Sequence, residues 1–159
     1  MNIQVSTNPA PLLIVDDSDD DIFLLLWGLK KGGLIPRHQV AHHGLEAIEY
    51  FKAWLAREGP LQLPALVLID LQMPMFNGFE LLAWVRAQRL LQNLNVYVCS
   101  TSGLAEDEFM AMKAGATGYF VKPTLLPEYM ALAEKIHDLL PDCTRARETF
   151  RAQNAPEAC

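Results

Sequence analysis

The stretch Ala65-Leu66-Val67-Leu68-Ile69-Asp70-Leu71-Gln72-Met73-Pro74-Met75-Phe76-Asn77-Gly78 decides the fold. Its first five residues are apolar without a break, and Pro and Gly punctuate the segment behind them. An apolar run of that length closed by turn residues reads as a strand buried on both faces. Asp70 stands one step past the run, where the strand leaves the core at its carboxyl end. Open parallel α/β sheets bind ligands along that edge, so position singles out Asp70 before its chemistry is considered.

Outward from this strand the same arrangement recurs. Pro11 to Val15 is a second apolar run and ends in Asp16-Asp17. Ser18 or Asp19 is placed to cap a helix with an acidic first turn, which suits the positive end of the helix dipole. That helix runs to about Lys31, and Gly32-Gly33 stops it. Gln39-Val40-Ala41 reads as a weak strand, and Gly44 opens a helix with Leu45, Ile48, Phe51, Trp54 and Leu55 at helical spacing. A loop from Gly59 to Pro64 leads into the central strand. Asn77 then caps a third helix carrying Leu81, Leu82, Val85 and Leu90-Leu91. Val96 to Cys99 is a fourth strand closed by Ser100-Thr101-Ser102-Gly103, and a short helix spans Ala105 to Ala114. Tyr119-Phe120-Val121 is a fifth strand followed by Lys122-Pro123, and a last helix runs from about Leu126 to Leu140.

Strand and helix thus alternate five times, the pattern of a parallel sheet covered on both faces. Right-handed crossovers of this size build a flavodoxin-like doubly wound (βα)5 sandwich with strand order 2-1-3-4-5. Residues 1–10 read as an N-terminal extension, 11–140 as the domain, and 141–159 as an Arg- and Ala-rich tail with no output domain.

Composition narrows the function classes. The chain has 159 residues, 51% of them hydrophobic and 20% charged, enough to bury a substantial core. A net charge of -6 argues against a nucleic-acid surface, which wants a basic patch. Three cysteines without C-x-x-C spacing indicate neither a disulfide framework nor a zinc site. No apolar run reaches membrane-spanning length, so the expectation is a reduced cytoplasmic protein.

Four strand ends carry polar groups: Asp16-Asp17, Asp70, Ser100-Thr101 and Lys122. All face one edge of the sheet, and the order 2-1-3-4-5 makes the first and third strands neighbours at the switch point. Asp16, Asp17 and Asp70 then converge, and three close carboxylates repel unless a cation joins them. Hard oxygen donors in that number suit Mg²⁺, which keeps its waters and shares itself with a phosphate. The Lys122 ammonium and the Ser100 hydroxyl are what the other oxygens of a phosphoryl group require. These parts fit phosphoryl transfer with Asp70 as nucleophile and an acyl phosphate as product.

The acidic pair after strand one, Asp70 with Met73-Pro74 and Asn77-Gly78, Ser100-Thr101, and Gly118 to Pro123 together resemble the receiver domain of two-component response regulators. The resemblance implies that Asp70 accepts phosphate from a histidine kinase. It implies that Asp17 and Asp70 bind Mg²⁺ with the Gln72 main-chain carbonyl, with Asp16 acting through metal-bound water. Lys122 would contact the phosphoryl group, Ser100 would be the hydroxyl switch and Tyr119 the aromatic switch. A cis Lys122-Pro123 bond is also implied. The Gly59 to Pro64 loop, Asp20-Asp21 and Ser-Thr-Ser after strand four resemble the stand-alone receivers that serve phytochrome kinases.

Plainer readings stand beside these. Asp19, Asp20 and Asp21 are explained by helix capping, Tyr119 by core packing, and Ser100 and Thr101 differ only by register. A pseudo-receiver that works by contact alone would not need its carboxylates held together. A haloacid-type phosphatase would carry an acid where Gln72 stands, and a flavodoxin would carry a Ser/Thr-rich phosphate loop after the first strand. The first helix is apolar nearly all round. Ile22, Leu25, Leu26 and Leu29 form one face, which leaves Phe23 and Trp27 as a candidate kinase-docking patch or as residues covered by the last helix or the tail. Analogy with the family, with the apolar last helix, implies a homodimer through the fourth helix, fifth strand and fifth helix. No histidine is read as a ligand or catalyst.

Overall fold

The computed structural model describes residues 11–33, 36–58 and 61–140. The tail, the N-terminal extension and part of the Gly59 to Pro64 loop lie outside the described residues. The elements run β1 (Leu12–Val15), α1 (Asp19–Lys31), β2 (His38–Ala41), α2 (Gly44–Leu55), β3 (Leu66–Ile69) and α3 (Gly78–Ala87). A 3₁₀ turn (Arg89–Leu91), β4 (Val96–Ser100), α4 (Ala105–Lys113), β5 (Gly118–Val121) and α5 (Leu126–Asp138) follow. All strand pairs are parallel, and the sheet order is β2-β1-β3-β4-β5.

Alternation along the buried strands sends successive side chains to opposite faces. Leu13, Val15, Val67, Ile69, Val96 and Val98 pack on one face beneath α2, α3 and α4. Leu12, Ile14, Leu66 and Leu68 pack on the other beneath α1 and α5. The residues of β1 and β3 are buried throughout because both faces are covered.

The starts of α1 and α3 follow the sequence signals, while the cap of α2 is one the sequence reading did not name. Ser18 Oγ accepts from the Asp21 N–H at 3.2 Å, so Ser18 is the N-cap of α1. Asn77 and Glu80 form a reciprocal capping box on α3. His43 caps α2 through its Nδ1, which accepts from the Glu46 N–H at 3.2 Å.

Two expectations are corrected. Leu90-Leu91 does not belong to α3: Gln88 turns to extended backbone, and a separate 3₁₀ turn carries the pair. The cause is the Arg86 guanidinium. Its Nη1 donates to the Leu91, Gln92 and Leu94 carbonyls at 3.2, 3.2 and 3.0 Å, which draws the chain back across the end of α3. The Lys122-Pro123 bond is trans, since no peptide bond among the described residues is cis. Trans is the form an X–Pro bond prefers by about 0.5–1 kcal/mol.

Helix α5 crosses α1 against Gly28, where a Cβ would lie 2.6 Å from the Tyr129 carbonyl oxygen. Backbone there has no rotamer to yield, so the helices themselves must part. Gly28→Ala is expected to destabilise the fold by about 1–3 kcal/mol. Urea denaturation with an unchanged midpoint would count against this account of the α1–α5 contact.

Candidate functional site

Strand register builds the site. Val15 pairs with both Ala41 and Ile69, so Asp16 and Asp70 each stand one residue beyond a paired position. The Asp70 N–H donates to the Val15 carbonyl at 2.9 Å, and the Asp16 N–H donates to Ala41 at 3.0 Å. On the other side of β3, Ser100 pairs with Val121, and the Lys122 N–H donates to the Ser100 carbonyl at 2.7 Å. Four strand ends therefore deliver their side chains to one patch. Gly78 lets α3 start against the site, since a Cβ there would lie 2.4 Å from the Asp70 carbonyl oxygen.

Asp16, Asp17 and Asp70 bring oxygens within 4.8 Å of one another, with Asp16 and Asp70 buried and Asp17 exposed. Such a donor set, all hard oxygen and close to an open edge, fits a divalent cation that keeps several waters. Gln72 contributes its main-chain N–H to the Asp70 carboxylate. The buried Lys122 ammonium lies 2.7 Å from Asp16 Oδ2, 2.7 Å from Asp21 Oδ2 and 3.6 Å from Asp70 Oδ1. Ser100 is fully buried and Thr101 exposed, so register separates the two hydroxyls. Ser100 Oγ accepts from the Ser102 N–H at 3.3 Å, and the Tyr119 hydroxyl donates to the Ser102 carbonyl at 2.9 Å. Both candidate switch residues thus grip the same loop ahead of α4.

In the sequence Asp21 is an acid of a first helical turn, which capping explains, and with Asp20 a part of the subtype resemblance; neither reading puts it at the site. The structure places its carboxylate on Lys122 instead, across 101 residues of chain. Cys99 lies beneath the site, and burial pushes its thiol up to about 12, which keeps it a neutral packing group. The docking pair divides: Phe23 is 66% exposed, whereas Trp27 is half-buried. On α5, Tyr129, Leu132 and Ile136 face the core, as does Leu140 just past its end, so most of the apolar set is spent inside the domain.

Burial sets the electrostatics. It raises the Asp70 carboxyl above its ordinary value; Asp16 and Asp17 push the same way, while Lys122 and the Gln72 N–H oppose. Burial raises Asp16 likewise, against its bonds with Lys122 and Ser18. For Lys122, burial alone would lower the ammonium, but hydrogen bonds to Asp16 and Asp21 and the Asp70 charge outweigh it. The lysine is held firmly charged.

The chain belongs to the response regulator receiver domain family, which it matches over residues 12–134. Its place is thus in two-component signalling. It is 31% identical over 129 residues to a chemotaxis protein CheY homolog of Campylobacter jejuni, spanning 81% of this chain and 91% of that protein. The Mn(2+)-bound form of response regulator Rcp1 superposes with a TM-score of 0.72 at 25% identity, covering 84% of this chain and 96% of that one. The bacteriophytochrome response regulator AtBRR does so with a TM-score of 0.64 at 29% identity, covering 80% and 91%.

The raised Asp70 carboxyl makes a stability prediction. An acid with a raised folded-state pKa holds its proton more readily folded than unfolded. Stability therefore falls as pH climbs from the ordinary value of about 3.9 through the raised one, and it stays lowered at neutral pH. Asp70→Asn removes that penalty and leaves Lys122 paired with Asp16 and Asp21. In EDTA at pH 7 the variant should melt higher, by about 2–4 °C for each kcal/mol at this chain length. The gain should shrink as pH falls through the raised value and vanish near the ordinary value of about 3.9; an equal or lower melting temperature at pH 7 would overturn this reading.

Proposed function

We propose that this chain accepts a phosphoryl group from a histidine kinase on Asp70, in a Mg²⁺-dependent reaction, and signals through the conformational change that follows. The supporting observation is the meeting of Asp16, Asp17, Asp70, Ser100 and Lys122 at one sheet edge, with the nucleophile 6% exposed and a charged lysine beside it. An Asp70 carboxylate oxygen attacks phosphorus, the P–N bond of the phosphohistidine breaks, and the imidazole leaves with that electron pair. Hydrolysis later places a water oxygen on phosphorus, releases inorganic phosphate and restores the carboxylate.

Asp16, Asp17 and Asp70, with the Gln72 main-chain carbonyl, would hold Mg²⁺, which neutralises charge on the phosphoryl oxygens when bound. Lys122 supplies a fixed positive charge to the same oxygens, and Ser100 supplies a hydroxyl. Because Ser100 and Tyr119 both hold the Ser102 segment, a new bond at Ser100 reaches the start of α4 through that loop. The chain works as a switch that acts on itself, not as a turnover enzyme. The likeness to AtBRR supports a phytochrome-type kinase as partner. Exposed Phe23, with Trp27 beside it, supports a kinase contact on α1. Exposed Val121, Leu125 and Met130 support a homodimer through α4, β5 and α5. A cytoplasmic location accords with the absence, among the described residues, of a helix long and apolar enough to cross a membrane.

Incubation with Mg²⁺ and acetyl phosphate, read by intact mass, should add one phosphoryl group to the wild type. Asp70→Asn, or the wild type in EDTA, should gain none. A folded wild type that stays unmodified would leave a phosphorylation-independent contact module in place of this reading. For the two surfaces, slower transfer from the kinase in Trp27→Ala and a dimer in sedimentation at high micromolar concentration are the expected results. Unchanged transfer or a monomer would remove the corresponding surface.

A further inference from the structure

We infer that Asp21 is a positioning residue for Lys122, holding the ammonium short of the nucleophile in the resting site and yielding it to the phosphoryl group. The inference rests on the reading of Asp70 as the acceptor. Lys122 has three N–H donors, and two are committed at 2.7 Å, to Asp16 Oδ2 and Asp21 Oδ2. The contact with Asp70 Oδ1 is 3.6 Å, beyond hydrogen-bond length. The lysine therefore pairs with the nucleophile by charge but makes no hydrogen bond to it; two flanking carboxylates hold it.

These two carboxylates are not equivalent. Asp16 belongs to the oxygen cluster that suits a cation and is fixed at the end of β1, with its Oδ1 accepting from the Ser18 N–H at 3.0 Å. Asp21 belongs to no such cluster. It sits in the first turn of α1, where its backbone N–H is held by Ser18 Oγ and where the helix dipole stabilises its charge. Its carboxylate is also the more exposed of the two, so water can replace Lys122 there at lower cost than at Asp16.

The consequence is a competition. When an Asp70 oxygen bonds to the phosphorus of acetyl phosphate, the P–O bond to the acetyl group breaks and acetate leaves. The phosphoryl oxygens left on Asp70 carry new negative charge beside Lys122. The third N–H of the ammonium can turn to them, and drawing the nitrogen in from 3.6 Å pulls it away from its present partners, of which Asp21 is the more exposed and stands outside the oxygen cluster. Until then Asp21 offsets part of the lysine charge that would attract an anionic phosphodonor. Asp21 thus restrains phosphorylation.

The test uses the full chain with Mg²⁺. Acetyl-phosphate labelling is followed by intact mass, and beryllofluoride binding is titrated for wild type, Asp21→Asn, Asp21→Ser and Asp21→Glu. Loss of one charge at this range is expected to raise the labelling rate constant about fivefold in the Asn and Ser variants and to tighten beryllofluoride by a similar factor. Asp21→Glu, which keeps a carboxylate within reach of Lys122, should return both towards wild type. Labelling in the Asn and Ser variants that is equal to or slower than wild type would overturn the inference. So would a Glu variant that behaves like Asn. A wild type that takes no phosphoryl group at all would fail the Asp70 reading itself, a different result from an unmoved Asp21 series.

Discussion

A buried ammonium among carboxylates is the constraint around which this molecule is built. Asp16 and Asp70 are both taken out of water at the end of a fully covered sheet, where a lone carboxylate would sooner take up a proton than stay charged. Lys122 is the fixed cation that opposes this, and it comes from the far side of the sheet. Its reach to Asp16 and Asp21 requires β5 to lie beyond β4, β4 beside β3, and α1 to start over the same edge. The sheet order thus determines which charges can meet.

The site is consequently poised, not relaxed. Replacing a buried ion pair by apolar groups is often neutral or stabilising, so stability alone does not account for four acids and a lysine held together. Under the function proposed above, the arrangement is a place kept ready for added charge: a cation among the oxygens, then a phosphoryl group beside the ammonium. The apolar layer beneath, with Cys99 held as a neutral thiol, keeps the dielectric low and each of these interactions strong.

The same loop economy links chemistry to surface. Ser102 accepts from Tyr119, donates its N–H to Ser100 and holds Asp107 in the first turn of α4 through its hydroxyl. Three elements therefore share one short segment. At the other end of α4, Arg86 donates to the Gly115 carbonyl at 2.7 Å and fixes the helix to α3. Helix α4 is thus tied to α3 just past its C-terminus and to the Ser100–Ser102 loop at its N-terminus.

Most of the fold was legible because local rules and burial agree. A run such as Leu66 to Ile69 has no polar side to present, so it must lie between two layers, and the next residue must emerge at the edge. That reasoning alone placed Asp16, Asp70 and Lys122. It could not separate Ser100 from Thr101, since both follow the strand and only the pairing of Ser100 with Val121 buries one and exposes the other. Nor could it extract Leu90-Leu91 from α3, because the turn there is made by a guanidinium binding three carbonyls with no periodic signature. Asp21 shows the limit most clearly. In sequence, its acid is fully explained by the start of a helix; in space, the same side chain meets a lysine 101 residues away. Periodicity and strand ends determine which residues reach the edge of a sheet. Which charges touch there is decided by register and helix placement, because Coulomb and hydrogen-bond energies depend on ångström separations that no spacing along the chain encodes.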